Sequence, residues 1–261
     1  MTGEFSPDWL TLREPADAAA RDRALVETLR ETLTGPPTGP LVVRDLGCGT
    51  GSMGRWLAPQ LGSPQHWVLM DRDPVLLAHA ESHLPAGVTV ETRQGDVTGL
   101  TGADLAGTSL VTCSALLDLL TTEEVEGLAA ACAEAGAAAL FTLSVTGEVS
   151  LDPADPMDDE VAAAFNEHQR RESGGRRLLG PDAADVAAAA FTKVGATVTV
   201  RPAQWRLSSD DGPLAGEWLS GWSGAAVEQR PDLRLDDYLR QRAADGFTAS
   251  VGHADLLAVF V

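Results

Sequence analysis

The sequence predicts an α/β fold: a mainly parallel sheet with helices on both faces. Short apolar runs alternate with helix-period segments, which is the pattern of βαβ units. A glycine-rich turn, Leu46-Gly47-Cys48-Gly49-Thr50-Gly51-Ser52, joins the first such run to the helix after it. Acidic residues then recur just beyond the next two apolar runs, at Asp71 and Asp96.

The elements follow in order. Leu25, Leu29 and Leu33 recur at four-residue spacing, so 17–33 reads as one helix, ended by the glycine- and proline-rich run 34–40. Strands are expected at 41–46, 67–70, 88–93, 110–114 and 138–145, with helices at 52–61, 74–84 and 121–135. Pro74 suits a first helical turn, and Thr121 with Glu124 makes a capping box. After Val145 the rhythm changes. A Pro/Asp-rich turn, a helix over 158–171 and a Gly174-Gly175 break read as an insertion. A helix over 182–194 and a strand over 197–207 resume the pattern. Two helices fill 214–242, broken near Pro231, and an apolar strand lies within 247–261. The economical division is one domain over 1–261: cover helices in 1–40, a binding core in 41–145, and substrate-side insertions at 146–181 and 208–246.

Composition removes several classes. The chain has 261 residues, 44% hydrophobic and 22% charged, which is ordinary globular material. A formal charge of −19 repels phosphate backbones and anionic lipid, so neither nucleic acid nor a membrane is the expected partner. No apolar run approaches the roughly 20 residues that span a bilayer. The first eight residues carry no secretory pattern, and the expected compartment is the cytosol. Three scattered cysteines make neither a disulfide framework nor a zinc site, and no metal is expected.

The glycine turn carries the chemistry. Glycines at 47, 49 and 51 let the backbone bend sharply and approach a ligand with no Cβ in the way. Gly49-x-Gly51-x-x-Gly54 also fits a dinucleotide pattern, which keeps an NAD(P)-dependent oxidoreductase as the alternative. Asp45 argues against it, because an acid two residues before the first glycine suits an amino group and repels a pyrophosphate. Asp71, at the tip of the second strand, is placed to accept from ribose hydroxyls. Gly95-Asp96-Val97 offers a carboxylate for an exocyclic amine and an apolar wall beside it. Ser114 to Leu116 close the fourth strand at the same edge.

Together these residues resemble the class I S-adenosylmethionine-dependent methyltransferases of the small-molecule type. The resemblance is specific over about 41–145. It implies a Rossmann-like seven-stranded methyltransferase sheet with an antiparallel final strand, and lid helices inserted on the substrate side. The cofactor it implies is S-adenosyl-L-methionine. Asp45, Gly47, Cys48 and Gly49 form its turn, and Asp71 holds the ribose with Arg72 flanking the adenine. Gly95, Asp96 and Val97 take the adenine, and Ser114 lines the methionine end. Arg13, in the N-terminal cover, is expected to pair with the cofactor carboxylate. The implied activity is O-, N- or C-methylation of a small-molecule metabolite, with a specialised metabolite as one possible acceptor. A cofactor-binding module without catalysis is the other alternative.

Plainer readings stand beside these. Asp71 also suits a helix cap and Asp96 a loop acid. Cys48 and Cys113 read as apolar wall residues. Asp118 either points into the site or begins a helix in solvent. Trp218 and Trp222, four apart, read first as core. His168 shares a helical face with Val161, Ala164 and Phe165 and is the expected catalytic base, packing of the lid being the alternative. Acceptor and oligomeric state are not legible.

Overall fold

The computed structural model describes residues 6–33, 39–62, 64–210 and 212–260. Residues 34–38 of the expected break at 34–40 and the first five residues lie outside them. Seven strands form one sheet in the order β3-β2-β1-β4-β5-β9-β8. They are β1 Leu41–Leu46, β2 Gln65–Asp71, β3 Val88–Gln94, β4 Leu110–Ser114, β5 Ala138–Asp152, β8 Thr197–Ser208 and β9 Thr248–Val259. β1 to β5 are parallel, and β9 runs antiparallel to both β5 and β8. The sheet is therefore seven-stranded with an antiparallel last strand, wedged between the fifth and sixth.

Alternation along the strands divides the core. Val43, Trp67, Leu69, Leu110, Leu140 and Leu257 face one layer, built by α2 (Arg23–Thr32), α3 (Ser52–Leu57) and α4 (Pro74–His83). Leu46, Val68, Met70, Val111, Phe141 and Leu256 face the other, built by α5 (Thr122–Ala135) and α7 (Ala183–Lys193). Strands buried on both faces read as continuous apolar runs, which is why they were legible. The capping box of α5 is present, with Thr121 Oγ1 accepting from Glu124 N and Glu124 Oε2 from Thr121 N.

Two expectations need correction. The single helix over 17–33 is two: α1 (Pro7–Ala20) and α2, separated at Arg21-Asp22. Both junction residues are extended. The Asp22 side chain caps α2 through Leu25 N at 3.0 Å, while its own N–H donates to Asp255 Oδ2 at 2.8 Å. Leucine spacing alone does not reveal such a capped bend. Second, β5 runs seven residues beyond 145, so β5, β8 and β9 continue together past the edge where β4 ends at Ser114.

That overhang carries a third apolar cluster. Trp205, Leu207 and Val251 of the strands meet α6 (Met157–Gln169), α8 (Pro213–Gln229) and α9 (Asp236–Asp245), with Trp9 of α1 against them. Trp218 and Trp222 are buried and stacked at 5.3 Å, as core residues. Asp158 holds this layer together: Arg242 reaches both its oxygens at 2.6 and 2.8 Å, and Tyr238 donates to it at 2.7 Å. Gly174-Gly175 turns a two-stranded hairpin, β6 (Glu172–Ser173) with β7 (Arg176–Arg177). No described helix is long and apolar enough to cross a membrane.

Candidate active site

The parallel strands end their carboxyl tips at one edge, and the strand order reverses between β1 and β4. A crevice opens at such a switch point, and ligands of open α/β sheets bind there. The glycine turn sits in it. Gly47, Gly49 and Gly51 all have positive φ, at 61°, 53° and 87°. A Cβ on Gly51 would stand 3.1–3.2 Å from Ala80 of α4, so glycine is required both for the dihedral and for the approach of two helices. Cys48 N donates to Met70 O at 2.9 Å, tying the turn to β2.

Asp71 completes that tie. Its Oδ2 accepts from Gly49 N at 2.9 Å and its Oδ1 from Asp73 N at 3.0 Å. Asp73 in turn caps α4 through Val75 N, so the helix-cap role considered for Asp71 falls to its neighbour. Gly95 N donates to the Asp71 carbonyl at 3.0 Å, bringing the third strand end alongside. Asp96 is exposed. Its Oδ1 accepts from both the N–H and the hydroxyl of Thr98, and these bonds hold its carboxyl below the usual range. Arg72 is exposed beside it, and Val97 is half-buried against the core.

Asp45 lies beneath the turn, 1% exposed. Its Oδ1 accepts from Thr112 at 2.8 Å, while its buried Oδ2 has no hydrogen-bond partner. Burial pushes the carboxyl up to about 7, against the pull of the Thr112 hydroxyl and the charge of Arg21. The Cys48 and Cys113 thiols are pushed up by burial, which fits inert wall residues.

The cation at this site is Arg21. It is 3% exposed, and its Nη2 donates to Ser114 Oγ at 3.0 Å and Ser52 Oγ at 3.2 Å. Its Nε and Nη1 are buried without partners. Arg13, the expected carboxylate partner, is engaged within α1. Its guanidinium makes a two-pronged pair with Asp17 at 3.0 and 3.1 Å and stacks 4.8 Å over Trp205, which also donates to Asp17. Only the bend between α1 and α2 carries Arg21 under the turn, and no spacing signal announces that bend. α1 itself lies across the turn. A Cβ on Gly49 would meet Leu10 at 3.2 Å, and Glu14 pairs with Arg55 of α3.

The edge of β4 carries a local irregularity. Ala115 has φ 51°, left-handed backbone in a non-glycine residue, and its N–H donates to Thr142 O at 2.9 Å. Such conformations persist where surrounding structure enforces them, and they cluster at ligand sites. Beyond it Asp118 is buried, so its solvent reading falls away. The segment after α6 is pinned onto this turn. Arg176 pairs with Glu124 and donates to Leu119 O at 3.1 Å, and Leu179 N donates to Leu120 O at 2.9 Å.

His168 sits on α6, half-buried, with Nε2 3.5 Å from Glu228 and Nδ1 3.4 Å from Arg171. Burial and Arg171 hold its ring below the usual histidine value. His253 is buried on β9 against Trp205, its Nδ1 3.0 Å from Val251 O, and burial lowers it to about 4. Among the described residues no group of three or more His, Cys, Asp or Glu side chains is placed to hold a metal ion.

Residues 43–136 match the family described as a methyltransferase domain. With the sheet order and glycine turn above, this stretch is similar to a methyltransferase domain. No curated protein matches the sequence. Among solved structures, the magnesium protoporphyrin IX methyltransferase ChlM of Synechocystis PCC 6803, with bound SAH, is 13% identical. That alignment covers 100% of this chain and 90% of that one, at a TM-score of 0.49. A putative methyltransferase of Bacillus halodurans C-125 is 16% identical over 91% of this chain and 97% of that one, at 0.48. DesVI of Streptomyces venezuelae is 19% identical over 76% and 93%, at 0.45. Likeness this distant adds nothing to what the family match and the sheet carry.

Proposed function

We propose that this chain transfers the methyl group of S-adenosylmethionine to a small-molecule metabolite. The observation that supports the reading is a pair of unsatisfied buried groups of opposite charge beside the glycine turn: Asp45 Oδ2 and Arg21 Nε/Nη1. Buried polar atoms are rarely left without partners. An α-amino acid terminus brings an ammonium and a carboxylate together, which are the two groups these atoms lack. A nicotinamide dinucleotide brings neither, and its pyrophosphate would face a buried acid. The oxidoreductase alternative is therefore not favoured.

When bound, S-adenosylmethionine supplies an electrophilic methyl on a sulfonium that leaves readily. The chain's own residues position and shield. Asp45 takes the ammonium and Arg21 the carboxylate, with Ser114 and Ser52 fixing the guanidinium. Asp71 holds the ribose, Arg72 flanks the adenine, and Gly95, Asp96 and Val97 take it. α1 closes over the turn and excludes water, and Arg21 takes the carboxylate role first expected for Arg13. His168, kept neutral by burial, receives the proton of an acceptor, with Glu228 beside its other ring nitrogen. The role is carried by placement on the lid helix.

Calorimetry with S-adenosylhomocysteine and with NADH tests this reading. Heat of binding from the first and none from the second is expected. Binding of the dinucleotide alone would overturn it. Cofactor binding without turnover of any acceptor would favour the non-catalytic module.

A further inference from the structure

Asp118 lies on the short 3₁₀ turn Leu117–Leu119 that follows β4, four residues past Ser114. β5, α7 and the turn Gly180–Asp182 pack against it. Asp118 is 9% exposed, and its Oδ1 is buried with no hydrogen-bond partner. The charges that face it are Arg13 and Arg171. Both are committed elsewhere, Arg13 to Asp17 and Arg171 to the His168 carbonyl at 3.1 Å. The lid segment is fixed over the same turn by Arg176 on Glu124 and Leu119 O. A carboxylate oxygen held this way is costly unless a donor reaches it. Asp45 and Arg21 account for the two ends of an amino acid terminus, so Asp118 is left over from the cofactor.

We propose that Asp118 is the acceptor-binding residue and that the acceptor is an amine, whose N–H donates to Asp118 Oδ1. An amine supplies a donor and, when it arrives protonated, a countercharge; it gives up that proton to His168 before its nitrogen lone pair takes the methyl group. The formal charge of −19 draws cations toward the protein, whereas it repels a carboxylate or phosphate acceptor. Asp17 offsets Arg13 on one side of the turn, leaving Arg171 as the neighbouring cation. This inference rests on the methyl-transfer reading and names its acceptor.

The test uses the full chain saturated with S-adenosylhomocysteine, and two probes of matched shape, benzylamine and benzyl alcohol, titrated by calorimetry. Benzylamine is expected to bind at least tenfold more tightly than benzyl alcohol, and Asp118→Asn to erase that preference. The variant's melting temperature and S-adenosylhomocysteine affinity are measured alongside and are expected to stay within twofold of wild type for affinity and within a few degrees for melting. Equal binding of the two probes, binding of neither at millimolar concentration, or a preference that survives Asp118→Asn would each overturn the proposal. A variant that melts far below wild type is replaced by Asp118→Ser, read by the same preference. If S-adenosylhomocysteine itself fails to bind, the cofactor reading falls and this one falls with it. If it binds and the probe preference is absent, this one falls alone.

Discussion

Arg21 Nη2 stands 3.0 Å from Ser114 Oγ, a bond across 93 positions of sequence that joins the hinge after α1 to the tip of β4. Desolvation lowers the guanidinium, and Asp17, Asp255 and Asp45 pull it back up. The remaining donors, Nε and Nη1, have nothing to bond. A carboxylate arriving there takes a charge-assisted bond from one of these donors.

Arg21→Gln is therefore expected to weaken S-adenosylhomocysteine binding by about 1.5–3 kcal/mol, the scale of a hydrogen bond to a charged group. Methylthioadenosine, which lacks the amino acid terminus, should bind wild type and variant alike. Calorimetry with both ligands checks this. An equal loss for both would assign Arg21 to folding rather than to the carboxylate. Arg13→Gln should cost less than Arg21→Gln, because the Arg13 pair with Asp17 is internal to α1.

Asp71→Ala is expected to weaken binding of the same nucleoside by about 1–3 kcal/mol. The side chain also holds Gly49 N and Asp73 N, so the melting temperature should fall as well. Asp71→Asn keeps an acceptor for one of those N–H groups and should recover part of the melting loss but little of the affinity. Wild-type affinity in Asp71→Ala would remove the ribose assignment.

Asp45 makes binding depend on pH. Its folded carboxyl, near 7, lies above its ordinary value of 3.8. The native state thus holds a proton more tightly than the unfolded chain, and this group's contribution to stability declines as pH rises from about 4 to 7. An ammonium ligand prefers the ionised carboxylate. Affinity for S-adenosylhomocysteine should therefore increase as pH climbs through 7 and level off above it. Titrations at pH 6, 7 and 8 check this, and Asp45→Asn should flatten the profile.

His168→Ala is expected to lower kcat by roughly 10²–10⁴-fold, the usual contribution of a positioned base, while leaving cofactor affinity unchanged. Because burial and Arg171 depress the ring, the acid limb of the rate profile should fall below the ordinary histidine value of 6.5. An unchanged kcat would leave His168 as a packing residue between α6 and α8.

The sheet was legible because its strands are short and largely apolar, as in Leu41–Leu46, which runs into Gly47, and Leu110–Ser114. The extension of β5 beyond 145 was not. Its residues alternate with polar ones such as Glu148 and Ser150, and alternation alone does not tell which helices will cover one face. Trp218 and Trp222 were legible as core because four-residue spacing puts two large rings on one side of α8.

The sequence by itself determined the turn and the acids at the strand tips. Asp45, Gly47, Gly49, Gly51 and Asp71 owe their places to local causes: positive φ needs glycine, and a strand delivers the residue after it to one edge. Only the tertiary structure decided which arginine joins them and which acid remains unsatisfied. Arg13 and Arg21 lie eight residues apart in the same polar segment, and Asp118 looks like any acid beginning a helix. What separates them is burial against residues 30 to 100 positions away, such as Ser52 and Ser114. Desolvation raises the cost of an unpaired charge wherever the chain encloses it, and enclosure belongs to the packing rather than to the local sequence.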